Sequence, residues 1–326
     1  MKILTKNRLS VFLLLILLVL LLLLPNKLFS QEPNGKYTIV IHGGAGSMDP
    51  NMEESSKQTY LKSLTVALNI GKEILEKGGS SLDAVEQVVR FLEDDSLFNA
   101  GRGAVFTAEG KNELDASIMD GRDLSSGAIT GVTIIKNPIS LARMVMEKTQ
   151  HVLFAGKGAD NLGMQLGVEV IDPSYFFVHD RFNELKRMTR NVKGTVGCAA
   201  IDQFGNIAAA TSTGGRTGKM PGRVGDSPLI NAGTYANNNT CGISATGHGE
   251  LFIKNTVAYQ ISALMEFKGV SLKEAVDEVI YKILPQGSGG IIAVDKNYNY
   301  ELPFNTSSML RGVATSDGVF EVKIWK

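Results

Sequence analysis

Hydrophobic residues recur at two different spacings along the chain, and the spacing predicts which segments are helical. Apolar residues recur every three or four positions over 59–75 and again over 82–92, as on one face of a helix, and a pair of glycines separates the two segments. Ser80, with Asp83 three residues later, resembles a capping box at the start of the second helix. Further helices are predicted over 140–148, 158–166, 250–267 and 272–284, the last with a capping box at Ser271 and Glu274.

Shorter apolar runs predict strands. They cover 37–42, 128–136, 240–245, 287–294, 312–314 and 319–324, and the first run ends in a predicted glycine-rich turn at 43–46. The polar and basic stretch 180–192 is predicted to be a mobile linker. Helices and strands thus come in batches rather than in strict alternation, which favours packed sheets with helices outside them.

Two apolar runs on either side of Asp202–Asn206 predict a β-hairpin. With Gly205 in the left-handed position of the turn, the register of the hairpin places Thr195 opposite Thr213. Directly opposed side chains in an antiparallel pair lie roughly 5 Å apart at Cβ. The two threonines are therefore predicted to stand side by side.

The amino terminus has the layout of a signal peptide. Basic residues precede an apolar run from Leu9 to Leu24, and Ser30 supplies a small residue just before Gln31. This run is shorter than the ~20 residues that a spanning helix needs, although its density of leucine leaves an uncleaved anchor as the alternative. We expect a signal peptide over residues 1–30 and a periplasmic or secreted protein, since under either alternative the folded part is exported.

Composition adds little to this picture. The chain is 44% hydrophobic and 20% charged, with 33 basic and 33 acidic side chains, so it has no electrostatic preference for nucleic acid. Its two cysteines, Cys198 and Cys241, lie in apolar surroundings and are predicted to be buried free thiols. Neither belongs to a CxxC motif, and the four histidines show no metal-ligand spacing, so we expect no zinc.

The sequence lacks the motifs of two common kinds of active site, the phosphate-binding loop and the nucleophile elbow of serine hydrolases. The glycine-rich stretch 213–220 has Thr213 where a phosphate loop begins with glycine, and it has Met220 where that loop needs serine or threonine. Around Ser244 a nucleophile elbow fails as well, because Thr246 stands where the pattern needs glycine. Attack by a hydroxyl on an acyl group remains, and an internal threonine lacks a base for it. Cleavage before Thr195 would supply one, an α-amine, a group whose pKa in unstructured peptides is about 7.7–8.0.

Several motifs, in this order, resemble the plant-type asparaginase / isoaspartyl peptidase family of N-terminal nucleophile (Ntn) hydrolases. They are Ile41–Gly46, Leu97–Gly101, Gly194–Ala200, Thr211–Gly215, Pro221–Pro228 and Ala245–Glu250. The resemblance covers nearly the whole chain after residue 36. It implies an α/β fold, a four-layer αββα sandwich formed by a single domain that is cleaved into two chains. The α chain would cover 31–194 and the β chain 195–326, assembled as a dimer of αβ heterodimers.

The resemblance also assigns the reacting groups. The Thr195 hydroxyl would attack the Gly194 carbonyl to cut the chain, and Thr195 would then serve as the nucleophile on substrate. Thr213 matches the family's second threonine. Thr246 and Gly247 match the oxyanion hole, and a long helix after them would add its dipole.

Substrate binding is implied in the same way. Arg223 would bind the α-carboxylate as a bidentate fork, and Asp226 would bind the α-ammonium together with the Gly249 carbonyl. Gly247 would also contact the substrate. Asn99 matches an asparagine near the nucleophile. Without the family, Arg223 and Asp226 would be read as a solvated ion pair.

The stretch Leu92 to Phe98 resembles one that binds a structural sodium ion through main-chain carbonyls, and no other cofactor is expected. His248 departs from the threonine of the plant-type proteins.

The implied function is an autoproteolytically activated threonine amidohydrolase that acts on β-aspartyl (isoaspartyl) dipeptides and L-asparagine. We expect a small-molecule or dipeptide substrate, and neither nucleic-acid binding nor stable membrane association after removal of the leader. A glycosylasparaginase is the nearest alternative; it ranks second because Gly194 precedes the nucleophile and Gly214 and Gly215 follow Thr213. An inactive binding module is the second alternative, and the complete set of site residues argues against it, since a binder needs no nucleophile.

Overall fold

The computed structural model describes residues 34–187 and 194–326. The predicted signal peptide (1–30) therefore lies outside the described residues, as do residues 188–192 of the predicted linker. Asn34–Lys326 forms one compact unit. Within the described residues, no helix is long and apolar enough to cross a membrane.

The described chain contains twelve β-strands and eight α-helices. Strands β1 to β12 are Thr38–Gly46, Leu114–Asp120, Ser126–Val132, Leu153–Ala155, Val196–Ile201, Ile207–Thr213, Thr234–Ala236, Cys241–Gly247, Gly289–Asp295, Tyr300–Glu301, Ser308–Thr315 and Phe320–Lys323. Helices α1 to α8 are Glu54–Glu76, Ser81–Asp94, Pro138–Lys148, Gly156–Leu166, His179–Lys186, Gly249–Asn255, Val257–Lys268 and Leu272–Asp277. A π-helical segment, Glu278–Ile283, follows α8, and 3₁₀ turns cover Gly101–Gly103 and Pro173–Phe176.

The strands form two sheets. The larger has eight strands in the order β12-β11-β1-β5-β6-β2-β3-β4, and the smaller has four in the order β10-β9-β8-β7. In the larger sheet, strands that precede Gly194 alternate in blocks with strands that follow it. β1 lies between β11 and β5, and β2 pairs with β6. The two parts of the sequence on either side of Gly194 therefore share one hydrogen-bonded sheet.

Two hydrophobic clusters lie on opposite faces of this larger sheet. The first joins helices α1 to α3 to one face, and Leu68, Val88 and Ile118 are among its fully buried members. The second joins the other face to the smaller sheet and to α7 and α8, with Ala199 and Ile243 among its members. Alternate residues of β5 enter different clusters, because successive side chains of a strand point to opposite faces. The fold is thus a mixed α/β domain, as predicted.

The predicted hairpin is confirmed. Gly205 has a left-handed φ of 77°, and the Asp202 main-chain N–H donates to the Asn206 carbonyl at 3.0 Å. Ile201 lies opposite Ile207. Ser80 caps α2 as predicted by accepting from the Asp83 main-chain N–H, the capping box of Ser271 and Glu274 is present, and both cysteines are buried and free.

Three predicted elements were wrong in detail. The glycines of the predicted turn 43–46 belong to β1, which continues to Gly46 across an irregularity between His42 and Gly44. The predicted helix 250–267 is two helices, because Thr256 adopts a left-handed φ of 49° between them. The amino-terminal part of the predicted linker forms α5, whose Arg181 is buried.

Candidate active site

Thr195 lies immediately before β5, and the hairpin brings it against Thr213 as predicted. The Thr195 side chain is buried, and its Oγ1 lies 3.2 Å from Oγ1 of Thr213, to which it donates. The Thr213 hydroxyl in turn accepts from the Gly215 main-chain N–H at 3.0 Å. Ser227, which sequence reasoning missed, places its Oγ 3.4 Å from the Thr195 hydroxyl. Three hydroxyl groups therefore meet at the first residue of the hairpin.

The peptide before Thr195 is enclosed by main chain and by Thr246. A Cβ on Gly194 would lie 2.4 Å from Thr246 Oγ1 and 2.8 Å from the Ala45 nitrogen. A Cβ on Gly44 would lie 2.7 Å from the Gly194 carbonyl oxygen. Both positions leave no room for a side chain, so glycine is required by close approach.

The two predicted oxyanion residues end β8. Thr246 Oγ1 accepts from the Ala45 main-chain N–H at 3.1 Å, which leaves its own hydrogen to donate elsewhere. Gly247 has a φ of 151°, and a Cβ there would lie 2.2 Å from the Ser288 carbonyl oxygen. The helix after them, α6, has only seven residues. Its dipole is therefore a smaller aid than the single long helix predicted from the sequence.

Three of the four predicted substrate-binding residues, Arg223, Asp226 and Gly249, lie together. A Cβ on Gly249 would lie 2.8 Å from Asp226 Oδ1 and 3.1 Å from Arg223 Nη2. Asp226 is buried, and its Oδ2 has no hydrogen-bond partner among the described residues. Burial raises the pKa of this carboxyl to about 7.

Arg223 does not form the solvated pair with Asp226 that the spacing alone would suggest. Its Nε and Nη2 donate to Glu250 Oε1 at 3.0 and 2.9 Å. Glu250 was missed from the sequence, although it directly follows Gly249. The guanidinium is therefore already aligned on a carboxylate, which is the class of group that the predicted substrate presents.

Asn99 supports the loop that follows Thr213. Its side-chain Nδ2 donates to the Gly215 carbonyl at 2.6 Å, and its main-chain carbonyl accepts from the Gly214 main-chain N–H at 3.1 Å. Its Oδ1 accepts from the Val105 main-chain N–H at 3.0 Å. Because Gly215 also donates to Thr213, Asn99 is tied to the second threonine through this loop.

His42 contacts Thr195 and was not predicted as a site residue. Its Nδ1 lies 3.0 Å from the Thr195 carbonyl oxygen, and its Nε2 lies 2.9 Å from Oγ of Ser244. Complete burial lowers the pKa of the imidazole to about 3, so the ring is neutral at physiological pH. Its position in the Ile41–Gly46 motif was the available signal. His248 precedes α6, and burial together with the nearby Arg216 lowers its pKa.

Main-chain oxygens of the predicted sodium stretch pack against the two glycines of the 3₁₀ turn Gly101–Gly103. A Cβ on Gly101 would lie 2.3 Å from the Glu93 carbonyl, and a Cβ on Gly103 would lie 2.0 Å from the Phe98 carbonyl. Main-chain oxygens are ligands for hard cations, so the carbonyls of this stretch have the chemistry that such an ion requires. Arg181 already donates to the Leu97 carbonyl at 2.9 Å. Within 34–187 and 194–326, no cluster of three or more His, Cys, Asp or Glu side chains could hold a metal.

Known proteins resemble this chain over most of its length. A family model described as asparaginase matches residues 35–324. The chain is 44% identical to the isoaspartyl peptidase of Escherichia coli (strain K12), over 89% of this chain and 98% of the relative. It is 43% identical to the Arabidopsis thaliana protein named probable isoaspartyl peptidase/L-asparaginase 2, over 90% and 100%. It is 40% identical to the Bos taurus isoaspartyl peptidase/L-asparaginase, over 83% and 91%.

Proposed function

The chain belongs to the asparaginase family, and from this premise we propose that it cuts its own Gly194–Thr195 bond and then hydrolyses β-aspartyl dipeptides and L-asparagine with Thr195 as nucleophile. It is an amidohydrolase. The observation that carries the proposal is the pair of hydroxyls 3.2 Å apart directly after an enclosed glycine peptide. The names of the relatives favour β-aspartyl substrates over the glycosylasparaginase alternative.

In the proposed maturation, the Thr195 hydroxyl attacks the Gly194 carbonyl carbon. The resulting ester is hydrolysed by water, which leaves a carboxylate on Gly194 and a free α-amine on Thr195. Enclosure of this peptide by Gly44 and Thr246 supports the step, because a held peptide needs little reorganisation before attack. The products are an α chain from about Gln31 to Gly194 and a β chain from Thr195 to the carboxyl terminus.

In turnover, the new α-amine takes the proton of its own hydroxyl as the hydroxyl attacks the substrate amide. The Thr213 hydroxyl, 3.2 Å from the nucleophile, orients it. Thr246 donates its uncommitted hydroxyl hydrogen to the developing oxyanion, and the Gly247 main-chain N–H is the second donor. The α-amine then gives this proton to the substrate nitrogen as its C–N bond breaks and the amine product leaves, and water hydrolyses the acyl-enzyme ester to release the acid and restore the Thr195 hydroxyl.

Substrate is held by its α-amino-acid end. Arg223 receives the α-carboxylate, and Asp226 with the Gly249 carbonyl receives the α-ammonium. Asp226 supports this role because an ammonium would partner the buried carboxyl oxygen that has none among the described residues. Burial of a cation beside this carboxyl also favours its ionised form. Asn99 is proposed to support the site through the loop after Thr213.

The remaining proposals concern the whole chain. The two hydrophobic clusters support a four-layer αββα sandwich of a single domain. The predicted leader supports removal of residues 1–30 and a periplasmic or secreted location. A sodium ion held by main-chain carbonyls of Leu92 to Phe98 would brace the exit of α2 and has no part in the reaction. By family resemblance the mature protein is a dimer of αβ heterodimers.

Intact mass and dipeptide hydrolysis test the proposal together. The purified parent is expected as two chains that begin near Gln31 and at Thr195, and it should hydrolyse a β-aspartyl dipeptide. Thr195→Ala removes the hydroxyl and should leave one uncut, inactive chain. Thr195→Ser keeps a hydroxyl and is the matched control, which should still be cut. An uncut parent that hydrolyses the dipeptide would contradict the proposal, as would normal activity in Thr195→Ala.

A further inference from the structure

A chain of buried hydroxyls leads away from His42 across the space between the two sheets. Ser244 Oγ lies 2.9 Å from His42 Nε2 and 2.7 Å from Thr211 Oγ1. Thr234 Oγ1 donates to Thr211 Oγ1 at 2.6 Å. All four side chains are fully buried, and they come from β1, β8, β6 and β7. This series of hydrogen bonds begins at the main chain of the proposed nucleophile, because His42 Nδ1 lies 3.0 Å from the Thr195 carbonyl oxygen.

The direction of each hydrogen bond follows from one fact. A carbonyl oxygen can only accept, so Nδ1 of His42 must carry a hydrogen. The ring is neutral, so Nε2 is an acceptor and the Ser244 hydroxyl must donate to it. The Ser244 hydrogen is then committed, and Ser244 must accept from Thr211, which in turn accepts from Thr234. The Thr195 carbonyl thus selects one tautomer of His42 out of two, and the hydroxyls orient to match it.

The backbone makes room for this arrangement. Gly197 of β5 lies opposite His42 of β1. A Cβ on Gly197 would lie 1.9 Å from Ser244 Oγ and 2.5 Å from His42 Nε2. The bond between His42 and Ser244 therefore passes directly over a strand position where any side chain would block it.

We propose that His42 is a positioning residue for the nucleophile, which holds the Thr195 carbonyl through Nδ1–H while the Ser244 hydroxyl donates to Nε2 and fixes the ring. This inference rests on the proposed function of Thr195. Before cleavage, Thr195 is also held through Gly194, which is enclosed by Gly44 and Thr246. Cleavage removes that tie and leaves a chain terminus whose strand pairing begins only at Val196. His42 then fixes the residue that carries both nucleophile and base.

His42→Asn and His42→Gln separate the two ring nitrogens. The Asn amide nitrogen lies near the position of Nδ1 and keeps the donation to Thr195, whereas the Gln amide lies near Nε2 and keeps only the contact with Ser244. Both variants leave the substrate-binding residues intact. We expect kcat for a β-aspartyl dipeptide to be about tenfold lower in His42→Gln than in His42→Asn, which corresponds to one hydrogen bond of ordinary strength. KM should agree within about twofold between the two variants.

Ser244→Ala and Ser262→Ala provide the second comparison, which decides the question should His42→Gln fail to fold. Both serines are fully buried and hydrogen-bonded, since Ser262 Oγ lies 2.6 Å from Thr240 Oγ1, outside the chain to His42. Ser244→Ala should lower kcat several-fold at unchanged KM, and Ser262→Ala should not. Equal kcat in the two histidine variants, or in the two serine variants, overturns the inference. An uncut and inactive parent would instead refute the proposed function.

Discussion

At the scale of single residues, Arg223 faces a carboxylate of its own chain where the proposed function requires a carboxylate of the substrate. Its guanidinium donates twice to Glu250 Oε1. The Glu250 side chain is 47% exposed, and a pair with one partner in water typically contributes about 0–1 kcal/mol. A substrate carboxylate can therefore displace or share this partner at low cost, and the pair keeps the guanidinium extended into the site.

Arg223→Ala should separate self-cleavage from turnover. The Gly194 carbonyl presents no carboxylate during maturation, so the variant should still cut itself. Loss of a charge-assisted bidentate contact costs about 2–5 kcal/mol, so kcat/KM for a β-aspartyl dipeptide should fall by roughly two to three decades or more. Fragment masses and steady-state kinetics measure the two effects. Arg223→Lys keeps the charge without the fork and should fall between parent and Ala; parental kinetics in Arg223→Ala would refute the assigned role.

From the hydrophobic pattern alone, a contact across a local turn could be predicted, whereas contacts between the two sheets could not. The register of one hairpin was enough to bring Thr195 to Thr213. His42 and Ser244 are 202 positions apart, and their contact depends on how the two sheets pack. The hydrophobic pattern shows which residues face the other sheet but not which of them meet. Glu250 was missed for a different reason. A charged residue at a helix start is ordinary, and only the structure shows which cation it meets.

At the scale of elements, a buried carboxyl joins helix α2 to the larger sheet. Glu93 Oε1 accepts from Ser212 Oγ at 2.6 Å and from the Ile139 main-chain N–H at 3.0 Å. Its other oxygen has no partner among the described residues. Burial raises the pKa of this carboxyl to about 8, so the carboxyl is mostly protonated near neutrality. Helix and sheet are thus joined by an acid in its uncharged form.

Glu93→Gln should remove part of the pH dependence of stability. The folded pKa lies above the unfolded value, so the stabilisation is fully present below the unfolded pKa and is lost as pH rises through about 8. Stability falls by about 1.4 kcal/mol per pH unit up to about pH 8 and by little beyond it, so the loss between pH 7 and 9 is about 1.4 kcal/mol, or roughly 2–4 °C in melting temperature. Between pH 7 and 9 the parent should therefore lose more melting temperature than Glu93→Gln, as measured by thermal unfolding.

Glu86→Gln is the matched control on the same helix. Its carboxylate accepts from Arg143 at 2.7 Å, and the substitution should lower the melting temperature by a similar amount throughout the range. Equal slopes for the parent and Glu93→Gln would contradict the assignment of an uncharged Glu93.

The elements that were predicted well have a strong local pattern, and those predicted poorly depend on distant partners. Helices α1 and α2 have a continuous apolar face. The break at Thr256 has no proline or glycine to mark it in the sequence. After the break, the main-chain N–H groups of Ala258 and Tyr259 donate to carbonyls of the distant segment 231–232. Residues 43–46 were predicted to be a turn because of their glycines, yet they extend β1, where residues 44–46 pair with β11. Gly43 and Gly44 are glycines for another reason, since the Phe98 ring and the Gly194 main chain approach too closely for side chains.

At the scale of the whole molecule, the interleaved order of strands predicts how the protein would behave after the proposed cleavage. Three strand pairs, β11 with β1, β1 with β5, and β6 with β2, would join the α and β chains. The two chains should therefore co-elute in size-exclusion chromatography under native conditions and separate only in denaturant. Thr195→Ala should elute similarly in buffer but as one chain in denaturant. Release of the free α chain in buffer would contradict this arrangement.

Interleaving also means that the protein folds more readily before the proposed cleavage than after it. Folding of the uncut chain is a first-order process, since every strand of the sheet is tethered to its neighbours. Two separate chains would have to find one another, so their renaturation would slow on dilution and compete with aggregation through exposed strand edges. A matured enzyme of this design keeps its activity through slow unfolding rather than through repeated refolding. Its useful life is then set by the barrier to opening the sheet.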